Sequence, residues 1–291
     1  MAIAAFKPEV WNANLLVTLE KSHVYGAAGV VNRDYEGDIA NYGDTVHITS
    51  LAEPTIGTYT PHTDITIEDV DDVDSTLLID QSKYFAFEVD DVEKRQAFNG
   101  GAIMTEQARK AAYKLRDIAD AYVAGLMAAG VAAGNLIAEA DATLTSASQA
   151  YDLLVDLGTV LDEDNVPDEG RWTVVTPAFY GLLKKDTRFV GTGDAQAAAT
   201  RTNGIVGEAA GFSIRKSNNA PNGPGAGAGK LIIAGYNGAV TYAEQINKTE
   251  AARKEKGFAD IVKGLHLYGA KVVRPTGLAA ADVVIDLGGG E

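Results

Sequence analysis

The feature that most constrains this chain is the stretch 34–82, which contains twelve Asp and Glu and not one Lys or Arg, yet is patterned like β-structure. Val46 and Ile48 alternate with His47 and Thr49, and Ile65 and Ile67 with Thr66 and Glu68. Phe85, Phe87 and Val89 resume the alternation after Lys83. Period-two alternation marks strands with one face buried and one face wet. Gly43, Pro54, Gly57 and Pro61 punctuate the stretch, which favours a long twisted hairpin over a compact barrel. A projecting hairpin has too few buried contacts to be stable alone. Its apolar side chains make physical sense if a neighbouring subunit covers them.

The rest of the composition narrows the partners. A chain of 291 residues can bury a full core, as one large domain or two ordinary ones. With no Cys there is neither a disulfide framework nor a thiolate metal site, so packing and association must supply stability, and folding in a cytoplasm is expected. A formal charge of -15 opposes sequence-independent attraction to phosphate backbones. The opening residues, Met1-Ala2-Ile3-Ala4-Ala5-Phe6-Lys7-Pro8, do not read as a secretory signal. Residues 118–138 are mostly Ala and Gly and carry Asp120 and Asn135, so a packed helix is expected there, not a membrane span.

Residues 1–33 have no sustained period and read as an extended arm interrupted by Tyr25-Gly26-Ala27-Ala28-Gly29. Asp90 with Glu93 three residues on predicts a helix start, and Gly100-Gly101 a bend. Met104, Ala108, Ala111, Ala112, Leu115, Ile118, Ala119, Tyr122 and Leu126 then step by threes and fours along one face. The run 102–129 would span about 40 Å and act as a spine. Ser146 and Gln149 predict the cap of a second helix burying Tyr151, Leu154, Val155, Gly158 and Leu161. Strands are expected at 171–175, 212–215, 231–234, 240–243 and 265–273, with a short helix over 178–185 behind Thr176-Pro177. The stretches 189–211 and 218–229 read as Gly-rich loops.

Catalytic and ligand-binding patterns fail on inspection. Gly223 to Lys230 has Pro224 and Leu231 where a phosphate loop needs other residues, and a strand follows it instead of a helix. Gly204, Gly207 and Gly211 miss the dinucleotide spacing, and Ser213 lacks the second Gly of a nucleophile elbow. Glu68, Asp69, Asp71, Asp72 and Asp74 begin like a calcium loop but lack its Gly and terminal Glu, so a solvated loop is the reading. His23, His47, His62 and His266 show no ligand spacing, and Asn247-Lys248-Thr249 is a glycosylation sequon by pattern alone. No catalytic, cofactor-binding or metal residue is assigned, no cofactor is expected, and the chain is not expected to be an enzyme.

In order along the chain stand Phe6, Pro8 and Trp11, then Tyr35-Glu36-Gly37-Asp38-Ile39 and Gly43-Asp44-Thr45-Val46. Ile79-Asp80-Gln81-Ser82-Lys83-Tyr84-Phe85-Ala86-Phe87-Glu88-Val89 follows, then Gly170-Arg171-Trp172-Thr173-Val174-Val175-Thr176-Pro177. Gly211-Phe212-Ser213-Ile214-Arg215 and Gly264-Leu265-His266-Leu267-Tyr268-Gly269-Ala270-Lys271-Val272-Val273-Arg274-Pro275 come last. Taken together, this series resembles the major capsid (coat) proteins of tailed bacteriophages with the Hong Kong 97-type fold, over nearly the whole chain.

The resemblance implies an α+β fold with an N-terminal arm at 1–34, an extended loop at 35–89 and a peripheral domain with the spine helix at 90–140. An axial domain at 141–239 and further peripheral strands at 240–291 complete it. It implies a structural protein of the virion that self-assembles as a homo-oligomer into pentamers and hexamers of an icosahedral shell around double-stranded DNA, without sequence-specific binding. Scaffolding and portal proteins would be partners, no membrane would be, and assembly would occur in the host bacterial cytoplasm. Some relatives cross-link through a Lys in the extended loop. With no Lys between Arg33 and Lys83, a non-covalent shell is expected here. The alternatives are an encapsulin-like nanocompartment shell or another oligomeric virion or tail component.

Overall fold

The computed structural model describes residues 23–35, 45–51, 55–59, 64, 67, 72–90, 102–186, 188, 207–255 and 257–287. The strands are β1 (Thr45–Leu51), β2 (Asp72–Leu78), β3 (Gln81–Asp90), β4 (Leu136–Ile137), β5 (Thr143–Leu144) and β6 (Arg171–Val175). They continue with β7 (Glu208–Ala209), β8 (Phe212–Lys216), β9 (Lys230–Tyr236), β10 (Val240–Arg253), β11 (Ala259–Val272) and β12 (Leu278–Ile285). Among the described residues three α-helices, α1 (Ala102–Gly130), α2 (Ser148–Glu163) and α3 (Pro177–Lys185), complete the framework.

A seven-stranded mixed sheet, in the order β4-β12-β9-β6-β8-β7 with β5 also on β12, divides the molecule into layers. Consecutive residues of its central strands point to opposite faces, as the pleat requires. Trp172, Val174, Leu231, Ile233, Leu278 and Ala280 pack on one side with Ala119, Val123 and Met127 of α1 and with Tyr25, Val30 and Val31 of the arm. Val175, Ile232, Ala234, Ala279, Ala281 and Val283 pack on the other side with Leu153, Leu154, Leu157 and Leu161 of α2 and Phe179, Leu182 and Leu183 of α3. A strand covered on both faces reads as a continuous apolar run, and β6 is buried at all five positions.

Beyond this sheet the chain extends outward. β10, β11 and β3 form an antiparallel three-stranded sheet, with a bulge between Ile246 and Lys248, and β1 pairs with β2 from Thr45–Leu78 to Leu51–Asp72. The root of this projection rests on a small core of Leu77, Ile79, Ala243 and Leu267. Gly269 is required there, because a Cβ would collide with the Leu78 carbonyl oxygen.

The structure corrects several expectations. The buried face of α1 runs through Ala112, Leu115, Ala119, Val123 and Met127, while Ile118 is 45 % exposed. The face is rotated because the neighbouring sheet accepts Val123 and Met127, which the sequence pattern left out. In α2 Leu154, Gly158 and Leu161 are buried as expected and Tyr151 is half-buried, but Leu153 and Leu157 join the buried face and Val155 is 43 % exposed. That helix starts at Ser148 behind Ala147, which makes no side-chain cap bond, and Gln149 Oε1 instead accepts from the Thr145 and Ser146 N–H groups just before the helix. Asp72 and Asp74 belong to β2, not to a loop. Asp90 ends β3, and the cap with Glu93, the Gly100-Gly101 bend and most of the strand expected around Ile65 lie outside the described residues. β12 was not anticipated: its small Ala residues carry little apolar signal, although it sits between β4 and β9.

Candidate assembly interface

Two features set how this subunit presents itself. The first is a buried charged junction that fastens the arm to the spine and to the long strands. Asp120, on the inner face of α1, accepts from Val24 N–H at 2.8 Å and Gly26 N–H at 3.2 Å, and its Oδ1 lies 2.9 Å from His23 Nδ1. The other ring nitrogen, Nε2, lies 3.2 Å from Glu244 Oε2 on β10. Glu244 Oε2 also accepts from Tyr242 OH at 2.8 Å and from His266 Nε2 of β11 at 3.1 Å, while Arg33 donates to its other oxygen.

Flanked by an acceptor on each ring nitrogen, His23 satisfies both only as the doubly protonated imidazolium. Burial, the largest single influence, disfavours that charge, but the hydrogen bonds and charges of Asp120 and Glu244 outweigh it and raise the pKa from 6.5 to about 9. Burial likewise opposes the Glu244 carboxylate, and the hydrogen bonds from His23 and His266 lead in holding it well below the usual range. Two cations, His23 and Arg33, thus face two carboxylates, Asp120 and Glu244, and the four charges balance at this junction. The arm continues along β10, with Asn32 N–H donating to Val240 O and Tyr242 N–H to Asn32 O.

The second feature is apolar surface displayed on the projection. Ile56, Ile67 and Tyr84 are 95 %, 85 % and 79 % exposed, and Phe258 beyond the β10 end is 76 % exposed. Along β3 the side chains of Ser82, Tyr84, Ala86 and Glu88 face solvent while Val89 is buried. Tyr84 and Phe85 line an open depression of about 460 Å³ with Gly264, Leu265 and the ion pair Lys263–Glu250.

The sequence candidates sort plainly. His23 and His266, distant in sequence, converge on Glu244, whereas Asp120, Glu244, Arg33 and Tyr242 were missed as partners. No local signal could have joined His23 to Asp120 and Glu244, because those pairings span 97 and 221 positions. His47 lies in β1, and His62, Glu68, Asp69, Asp71 and Gly204 are outside the described residues. Gly211, at φ +80, and Ala210, at φ 50, make the two-residue turn of the β7–β8 hairpin, and Ser213 is an exposed strand residue. Lys230 opens β9, and Asn247-Lys248-Thr249 lies within β10. Among the described residues no group of three His, Asp or Glu is placed to hold a metal, and no helix is long and apolar enough to cross a membrane.

A family profile described as phage capsid protein matches residues 74–281. The chain belongs to the phage capsid protein family. A structure from Mycobacterium phage Che8 superposes on this capsid protein with a TM-score of 0.71 at 28 % identity, covering 90 % of this chain and 91 % of that one. The capsid structure of the cyanophage P-SCSP1u gives 0.67 at 17 % identity, covering 85 % of each chain. The SrpI encapsulin of Synechococcus elongatus PCC 7942 gives 0.56 at 13 % identity, covering 87 % of this chain and 86 % of that one, a likeness of fold alone. No curated protein matches the chain. The fold is the α+β Hong Kong 97 type, and the protein is a major capsid protein, a structural component that builds the virion shell with copies of itself.

Proposed function

We propose that this major capsid protein assembles as pentamers and hexamers into an icosahedral shell around double-stranded DNA, in the host bacterial cytoplasm, with scaffolding and portal proteins as partners. The observation that carries this reading is the set of large apolar side chains Ile56, Ile67 and Tyr84, which a lone subunit leaves in water. Residues 1–34 serve as the arm, 35–89 as the extended loop reaching a neighbour, 90–140 and 240–291 as the peripheral domain, and 141–239 as the axial domain. Within that scheme β10 and β11 are peripheral, while β12 pairs with β9 of the axial segment. The shell is held without covalent cross-links, and its function is mechanical, not enzymatic.

The charge of -15 supports a wall that does not grip the packaged duplex. Electron microscopy of the purified chain tests the assembly: closed polyhedra support it, whereas monomers at high concentration, or tubes and open rings, overturn it. Particles carrying a protein cargo and no nucleic acid when purified from the native source would favour the compartment reading instead.

A further inference from the structure

A ring of identical subunits needs two different surfaces on each copy, one for the copy before it and one for the copy after. The side of the seven-stranded sheet covered by α2 and α3 carries two groups of opposite charge. One group is acidic. Asp162 and Asp168 line an open depression of about 320 Å³ whose apolar part includes Val155 and Ala210. Glu208 of β7 lines an adjoining depression of about 410 Å³ that shares Asp168 and Gly211 with the first. Glu169 is exposed beside Asp168. Arg171 pairs with Asp162 at 2.7 Å and Asp168 at 3.0 Å, so a single cation answers the group. Glu169 and Glu208 have no ion-pair partner among the described residues.

The other group is basic. Lys184 Nζ stands 4.9 Å and Lys216 Nζ 5.5 Å from the centre of the same Tyr180 ring. The two ammonium groups therefore lie within about one Debye length of each other at 0.1 M salt. Neither has a carboxylate partner among the described residues. Lys185 is exposed at the end of α3, while Arg188 is occupied by Asp152 and Asp186. The fold keeps the two groups apart. β6 and β8 run parallel, with Trp172 opposite Ser213 at the acidic end and Val175 opposite Lys216 at the basic end. The 16 residues of α2, about 24 Å long, run between the same ends. Asp162 lies in its last turn, and Arg188 donates to the Ser148 carbonyl in its first. Within one copy the lysines and the carboxylates are too far apart to neutralise each other.

We infer that the lysine end of one copy docks head to tail into the carboxylate-lined depression of the next copy. The pairing rests on the shell reading proposed above and supplies the contact that closes its rings. A lysine suits the depression, because its carbon stem can lie along Val155 and Ala210 while its ammonium reaches the carboxylates. Opposite charge also fixes direction: two lysine ends or two acidic ends repel, so copies add in one sense only. A polyanion bound at the lysine end would leave the carboxylate end without a counterpart, whereas a second copy satisfies both. Once closed, such pairs are screened by salt far less than the long-range repulsion between whole copies.

The test reverses each end in the full chain and counts closed particles by electron microscopy. Lys184→Glu with Lys216→Glu turns the lysine end acidic, and Glu169→Lys with Glu208→Lys turns the acidic end basic. Each double variant should lower the yield of closed particles about tenfold or more, because like charges then meet at every contact. All four substitutions in one chain exchange the ends and should restore most of the lost yield. The two double variants, purified separately and then mixed, should associate in light scattering at a concentration where neither associates with itself. Thermal midpoints near that of wild type check that the variants fold. Recovery in the fourfold chain or in the mixture supports the pairing. Unchanged yield in either double variant, or no recovery in the fourfold chain and none in the mixture, overturns it. Wild type that forms no closed particles would count against the shell itself, and the mixture would still decide the pairing.

Discussion

At the scale of single residues, the junction around Glu244 determines how the arm meets the body, and its charge states set a pH dependence with two opposite limbs. The His23 pKa is raised in the folded chain, so its contribution is complete below 6.5 and is lost as pH rises through about 9. The Glu244 pKa is lowered, so its contribution is complete above 4.5 and is lost as pH falls. The junction is therefore tightest between these limits. The difference in unfolding midpoint between wild type and His23→Gln should be largest near pH 6 and shrink toward about pH 10. A difference that stays constant across that range contradicts the charged junction. Glu244→Gln leaves the Arg33 and His23 charges without their shared partner, and should cost about 3–5 kcal/mol in chemical denaturation. Of this cluster only the two histidines stand out in the sequence as possible ligands or bases. Their role depends on Asp120 and Glu244, which look like ordinary acidic residues of a helix and a strand until the chain closes.

At the scale of elements, helices and strands with an apolar period were legible, but the angular position of their buried faces was not. The spine illustrates the point: its extent follows from an Ala-rich run without Pro, whereas its inward face depends on where the sheet lies. α2 gives a direct check. Leu157→Ala should destabilise by about 2–5 kcal/mol, while Val155→Ala on the same helix should stay within about 0.5 kcal/mol, both read by urea unfolding. β3 gives a functional counterpart. Tyr84→Ser removes an exposed side chain and should leave the unfolding midpoint near that of wild type. It should also reduce the yield of closed particles in electron micrographs, and an unchanged yield would remove this face from the assembly surface.

At the scale of the whole molecule, the subunit couples a layered body to a long acidic projection. Each copy carries a formal charge of -15, so bringing copies together costs repulsion that salt relieves, the Debye length falling from about 30 Å at 0.01 M to about 10 Å at 0.1 M. Light scattering should accordingly show more complete assembly as ionic strength rises across that range. The absence of Lys between Arg33 and Lys83 makes a second expectation at this scale. Mature particles should dissolve into a single monomer band on denaturing electrophoresis, and a covalent ladder would contradict a non-covalent shell.

What the sequence determined by itself was local: the period of most strands and helices, the cap at Thr176-Pro177, and the acidity of residues 34–82. These properties depend on neighbours a few positions away, where backbone geometry alone dictates which side chains share a face. Tertiary structure alone decided what depends on distant chain segments meeting. It placed the Ala-rich β12 within the sheet, joined His23 to Asp120 and Glu244, and laid the glycines of 223–229, which read as a loose loop, closely against Asp282 and Glu139. Small side chains and single charges are nearly silent in a sequence pattern, because their consequences come from close approach and desolvation, which exist only after packing.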